Sequence, residues 1–200
     1  MTWAACLPFS LTEEQLANSP IAGGDFRTLS SASFSNGTLT LNFTDEGAVK
    51  SITAGTPYLV KWENGDDITD LTFSCVTIAY TYHPVETNAV TFSGNFNPVG
   101  CSAGDNTMLY LGAENKLYYP STAMTINAFR AYFQLNGIEA GDPTKGVRQF
   151  VLNFGEESTG VTTPLHYREG QGSSWFTLDG RQLNGKPTAK GVYIPPGQMS

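Results

Sequence analysis

Phe34-Ser35-Asn36-Gly37-Thr38-Leu39-Thr40-Leu41-Asn42-Phe43 is the stretch that decides the fold class. After the Asn-Gly pair, polar and apolar residues alternate with a period of two. Leu39, Leu41 and Phe43 then share one face of a strand, and Thr38, Thr40 and Asn42 share the other. Asn-Gly tolerates the positive φ that both central residues of a tight type I′ turn require, so it joins antiparallel strands without splaying them. The spacing predicts a β-hairpin.

The same period continues outward. Tyr58-Leu59-Val60-Lys61-Trp62 reads as a strand entered through Gly55-Thr56-Pro57 and left through Asn64-Gly65, and Phe73 to Ile78 as a further strand rich in β-formers. Val90, Phe92 and Phe96 alternate with Thr91, Ser93 and Asn95, before a loop from Asn97 to Asn106 that contains Cys101. Met108 to Leu111 and Lys116 to Tyr119 flank Gly112-Ala113-Glu114-Asn115 and predict a second hairpin. Phe129, Ala131, Phe133 and Leu135 are expected on one face, with Arg130, Tyr132 and Gln134 on the other; Phe150, Leu152 and Phe154 close the series.

One helix signal stands apart. Ser10-Leu11-Thr12-Glu13 has the form of a capping box, a hydroxyl followed three residues later by a carboxylate. It predicts a short helix over about residues 11–18, ended by Pro20 and Gly23-Gly24. Short strands separated by turn residues, without recurring helices between them, predict an all-β protein: an antiparallel β-sandwich, or alternatively a barrel-like sheet, with one short N-terminal helix. The alternation fails after Gly155. Residues 1–155 are expected to form the β module, 156–174 a linker, and 175–200 a tail of tiny strands.

Composition narrows the function. Charged residues make up 14% of the 200 residues, against about 25% in an average domain, so Ser, Thr, Asn and Gly must supply the polar surface. The net charge of −7 lacks the basic footprint of nucleic-acid binding and the polybasic patch of anionic-lipid binding. No apolar run approaches the ~20 residues of a membrane-spanning helix. Residues 1–9 read as folded-domain sequence, so a secretion signal is expected upstream of Met1, and Cys6 is not expected to be lipidated. Cys6, Cys75 and Cys101 have no metal-ligand spacing and are expected as buried, reduced thiols, although one disulfide among them stays open.

The sequence predicts no catalytic residues, no cofactor and no metal. His83 and His166 are each isolated, a Gly-x-Ser-x-Gly turn is absent, and Gly170-Gln171-Gly172 lacks the strand and helix of a dinucleotide site. Asp66, Asp67 and Asp70 cluster after a turn but fit no calcium loop, and Glu156-Glu157 reads as solvated. The aromatics are the remaining chemistry. Tyr80, Tyr82, Tyr110, Tyr118, Tyr119 and Tyr132 are numerous, and exposed tyrosines stack on ligands at low entropic cost. Tyr118, Tyr119 and Tyr132 are the candidate ligand contacts; the bland alternative is that such rings fill the core.

Several segments together resemble a recurrent module of Bacteroidetes secreted surface proteins: Thr2 to Phe9 (TWAACLPF), Ala54 to Trp62 (AGTPYLVKW), Leu109 to Pro120 (LYLGAENKLYYP), Ala128 to Leu135 (AFRAYFQL) and Val151 to Gly155 (VLNFG). Trp175 to Ile194 (WFTLDGRQLNGKPTAKGVYI) resembles the terminal motif of those proteins and, more loosely, type IX sorting domains, through Trp175, Asp179, Gly180, Arg181, Gly185, Gly191 and Tyr193. Pro195-Pro196 stands where such motifs continue into a last strand. The resemblance implies a non-catalytic structural or adhesion module of a larger secreted protein, monomeric, extracellular and outer-membrane associated. The partners it implies are host or microbial surface proteins or glycans. A carbohydrate-binding module using exposed aromatics is the alternative, and an enzyme comes third.

Overall fold

The computed structural model describes residues 2–62, 71–112, 115–141 and 146–154 in full, and the backbone of 163–164, 175–177, 182–183 and 193–194. In chain order the elements are β1 (Thr2–Cys6), α1 (Glu13–Ala17), β2 (Asp25–Arg27), β3 (Leu29–Ser35), β4 (Thr38–Phe43), β5 (Pro57–Lys61), β6 (Val85–Glu86), β7 (Val90–Asn95), β8 (Val99–Cys101) and β9 (Met108–Leu111). They continue with β10 (Leu117–Tyr118), β11 (Met124–Ile126), β12 (Arg130–Leu135), β13 (Gln149–Asn153), β14 (Thr163–Pro164), β15 (Trp175–Thr177), β16 (Gln182–Leu183) and β17 (Tyr193–Ile194). Two compact units result, residues 1–167 and 168–200.

The first unit is an all-β sandwich. Its larger sheet runs β10-β9-β12-β1-β5-β2, with β7 on the other edge of β12 and β6 beyond β7. Its smaller sheet runs β14-β13-β4-β3. The Asn36-Gly37 turn forms as expected, with φ of 52° and 79°, and β3 and β4 pair antiparallel across it. Leu39, Leu41 and Phe43 face inward, and the polar residues between them are only partly covered. Between the sheets, Phe92 stacks on Phe133 with ring centroids 4.4 Å apart, and Phe43 meets both edge-on at 6.2 and 6.4 Å. Aromatic pairs favour such offset and edge geometries.

One end of this core holds a charge. The side chain of Arg27 is 4% exposed, its Nε donates to Asp25 at 2.6 Å, and one terminal nitrogen donates to the Phe154 carbonyl at 2.7 Å. Its guanidinium also lies over the Phe154 ring, 5.2 Å from the centroid. A buried cation is tolerated when paired and hydrogen-bonded in this way.

The sandwich is antiparallel as expected, apart from one pairing: β13 runs parallel with β4 from Gln149↔Thr38 to Asn153↔Asn42. The hairpin turn fixes only one edge of β4, and burial of Phe150 and Leu152 beside Leu39 and Leu41 selects what fills the other. The helix is Glu13–Ala17, and its capping box is Thr12 with Gln15, not Ser10 with Glu13. Two overlapping capping frames exist, and a β-bridge between Leu11 and Ile52 holds Leu11 extended, so the second frame wins. The freed Ser10 hydroxyl accepts from Ala54 N at 3.0 Å.

Phe73 to Ile78 forms no strand; Cys75 sits at φ 58°, which breaks an extended run. Cys101 belongs to strand β8, not to a loop, and is buried with its sulfur 3.3 Å from that of Met108. Within the expected linker 156–174, Thr163–Pro164 form β14 at the edge of the smaller sheet; the other residues of that segment lie outside the described residues. In the second unit β15 pairs antiparallel with both β16 and β17. Trp175 and Tyr193 lie in those strands; Asp179, Gly180, Arg181, Gly185 and Gly191 lie outside the described residues.

No disulfide links the cysteines: Cys6 and Cys101 are buried and Cys75 is exposed. Burial pushes the Cys6 thiol from its ordinary 9.0 up to about 12. Both states keep this proton below pH 9; above it the unfolded chain releases a proton that folded Cys6 retains. This group therefore makes stability fall with rising pH between about 9 and 12, by at most ~1.4 kcal/mol per unit. Titration of the native protein with a thiol-disulfide reagent at pH 8 is expected to label Cys75 rapidly and the other two thiols only in denaturant. A second fast thiol would contradict this burial.

Candidate functional site

The larger sheet is covered on both faces. That is why β5 shows a continuous buried run, Pro57 to Val60, rather than alternation. Leu59 and Ala4 face the sandwich core, whereas Tyr58 and Val60 face outward into a second apolar cluster with Phe9, Leu11, Ile21, Phe26 and Ile52.

Strand register builds the floor of a pocket on this outer face. Arg130 pairs with Ala5, and Ala5 with Tyr58, which makes one cross-strand row. Trp3 pairs with Val60, and Val60 with Phe26, which makes the next row. Side chains along one such row stand side by side on the same face. Ala5, the smallest residue in these rows, leaves space between Arg130 and Tyr58.

The wall is an irregular strap, residues 71–84. Ala79 N donates to Pro8 O at 2.6 Å and His83 N to Gly55 O at 2.9 Å. Phe73 packs on Phe9 at 4.8 Å, and Tyr82 stacks on Phe96 at 4.5 Å. Gly55, at φ 74°, lets the strap approach: a Cβ there would run into the Thr81 carbonyl oxygen. Leu71, Ile78, Tyr80 and Tyr82 of the strap remain exposed. Such a segment, with few buried contacts, belongs to the low-stability end of a fold.

Between floor and strap lies a cavity of about 670 Å³, lined among others by Trp3, Phe26, Tyr58, Trp62, Phe73 and Phe129. Phe129 stands at its side in an unusual state. Its φ is 60°, a left-handed conformation that a bulky residue adopts at a cost of about 1–3 kcal/mol. Two backbone bonds hold it there, Phe129 N to Asn95 O at 2.8 Å and Cys6 N to Phe129 O at 3.1 Å. The ring, expected inside with Ala131 and Phe133, is instead 48% exposed.

A second, smaller cleft of about 320 Å³ lies at the far end of the strap, lined by Tyr82, Pro84, Ser93, Asn95, Asn97 and Tyr132 among others. Asn95 is buried and its Nδ2 donates to the carbonyls of Asn97 and Asn127 at 2.7 and 2.8 Å, while its Oδ1 has no hydrogen-bond partner. Burial, with Cys101 and Tyr82 close by, pushes the Tyr132 hydroxyl up from its ordinary value.

The three tyrosines singled out by sequence have separate fates. Tyr119 is buried in the sandwich core. Tyr118 is half-buried and stacks on Tyr110 at 5.9 Å. Tyr110 and Tyr132 pack on a third cluster, of Cys101, Met108 and Ile126. Tyr132 also lines the smaller cleft. Sequence reading missed Trp3, Phe26, Tyr58 and Phe129 as site residues. The alternation of Trp3, Ala5 and Leu7, beside a strand apolar on both faces, was the available signal.

His83 is exposed in the strap; His166, Asp66, Asp67, Asp70, Glu156 and Glu157 lie outside the described residues. Among the described residues no three His, Cys, Asp or Glu side chains gather as a metal-binding set, and no helix is long and apolar enough to cross a membrane. Comparison with known protein families, with curated proteins and with solved structures finds no match to this chain.

Proposed function

We propose that this chain is a non-catalytic recognition module of a larger secreted protein displayed at a bacterial surface, and that it receives an apolar group of its ligand in the pocket between sheet and strap. The pocket carries the reading. Packed interiors leave few voids larger than a water molecule. A space of about 670 Å³ with aromatic walls falls instead in the size range of ligand sites, about 300–1,000 Å³. Its lining offers contact area and few hydrogen-bonding groups, which suits an apolar body better than a sugar ring. The surface-protein part rests on the segments resembling Bacteroidetes modules and on the low charge content.

A neutral fluorescent probe, N-phenyl-1-naphthylamine, tests the pocket. It is expected to bind the native chain one-to-one, and Ala128→Trp, which fills the pocket from its side, is expected to weaken it at least tenfold without lowering the melting temperature. Absence of binding to the folded chain, or equal binding by the variant, would overturn the reading.

The smaller cleft favours glycan binding as a second reading, because Tyr82 and Tyr132 line it beside the polar Ser93 and Asn97. A glycan array on which Tyr82→Ala abolishes a reproducible signal would favour it.

A further inference from the structure

We infer that the apolar pocket selects an amphipathic carboxylate, with its hydrocarbon body over the Ala5 floor and its acid group on Arg130; this rests on the pocket reading above. Arg130 is the one charged side chain in the described lining. It begins β12, at the end of the row that runs through Ala5 to Tyr58, so its guanidinium stands on the pocket face of the sheet. It is exposed and has no ion-pair partner among the described residues, unlike Arg27, which is held by Asp25 and Glu46. The chain as a whole carries a net charge of −7, so a cation in the described lining of an apolar cavity departs from its overall balance. A guanidinium fork matches a carboxylate in geometry as well as charge.

The lining leaves room for a slender body. Ala5 and Ala128 are small where Trp3, Tyr58 and Phe129 of the same lining are large, and Arg130 stands beside Ala5 in the cross-strand row. Phe129, the residue before Arg130, exposes its ring. A hydrocarbon chain laid over Ala5 would gain contact with the aromatic walls, while its charged head would stay at the solvent edge, where it need not be desolvated.

Displacement of N-phenyl-1-naphthylamine from the full 200-residue chain by decanoate and by 1-decanol, at pH 8 and low salt, tests the inference. Arg130→Gln is expected to weaken decanoate at least fivefold and 1-decanol less than twofold, and Arg130→Lys to restore part of the difference. Raising salt is expected to weaken decanoate on the native chain and leave 1-decanol unchanged. Since Arg130 is exposed, the variant should melt with the native chain and still bind the neutral probe. An equal loss for both competitors, or a loss below twofold for decanoate, overturns the carboxylate preference and leaves the pocket reading standing. Failure of the neutral probe to bind the native chain overturns both.

Discussion

Phe133→Ala is expected to lower the unfolding free energy by about 3–5 kcal/mol, the range for emptying a fully buried aromatic site. Phe133 is 0% exposed, stacks on Phe92 and receives the edge of Phe43. It therefore joins both sheets at the centre of the sandwich. Its neighbours Leu109 and Leu135 belong to paired strands whose backbone bonds resist collapse into the void. The loss should appear in urea denaturation as a lower midpoint with an unchanged slope. Phe133→Leu, which keeps most of the volume, should cost clearly less. A loss below 1 kcal/mol for the alanine variant would show that these rings do not form the common core of the two sheets.

Arg27→Met should cost about 3 kcal/mol, because removing one partner of a buried pair leaves the other charge uncompensated. The Asp25 carboxylate would lose its 2.6 Å bond and keep only a contact from Gly47 N at 3.3 Å, and the Phe154 carbonyl would lose its donor. Adding Asp25→Asn to Arg27→Met should recover at least ~1 kcal/mol relative to the sum of the two single losses, since the stranded charge is then gone. Methionine keeps contact with the Phe154 ring, so the measured loss reports the charge and hydrogen bonds more than lost packing. Simple additivity, or a single-variant loss within 1 kcal/mol, would mean that this charge cluster is solvated rather than structural.

Local chemistry made much of the fold legible. Asn36-Gly37 can take positive φ, so the β3–β4 hairpin was readable from two residues and their flanks. The inward set of β4 followed from a period of two. The all-β class followed from the repetition of such signals. The helix was legible as an element but its first turn was not, because Ser10-Glu13 and Thr12-Gln15 satisfy the same rule and only the Leu11–Ile52 bridge decides between them.

The site was much less legible. Tyr118, Tyr119 and Tyr132 are equal as residue types, yet one lies in the core, one on another ring and one in a cleft. Phe129 continues the apolar pattern of Ala131 and Phe133, but a bond it donates to Asn95 and one it accepts from Cys6, both distant in sequence, hold its backbone left-handed and turn its ring outward.

The sequence by itself therefore determined the all-β class, the Asn36-Gly37 turn and the apolar faces of strands such as β4, since each depends on neighbours within a few residues. Tertiary structure alone decided that β13 lies parallel to β4, that Phe73 to Ile78 becomes a strap, and that Arg130, Ala5 and Tyr58 line up beneath it. The physical reason is that strand edges and sheet faces carry no address of their own. Backbone hydrogen bonds are alike at every position, so which edge pairs with which is settled by the burial that the whole chain achieves together.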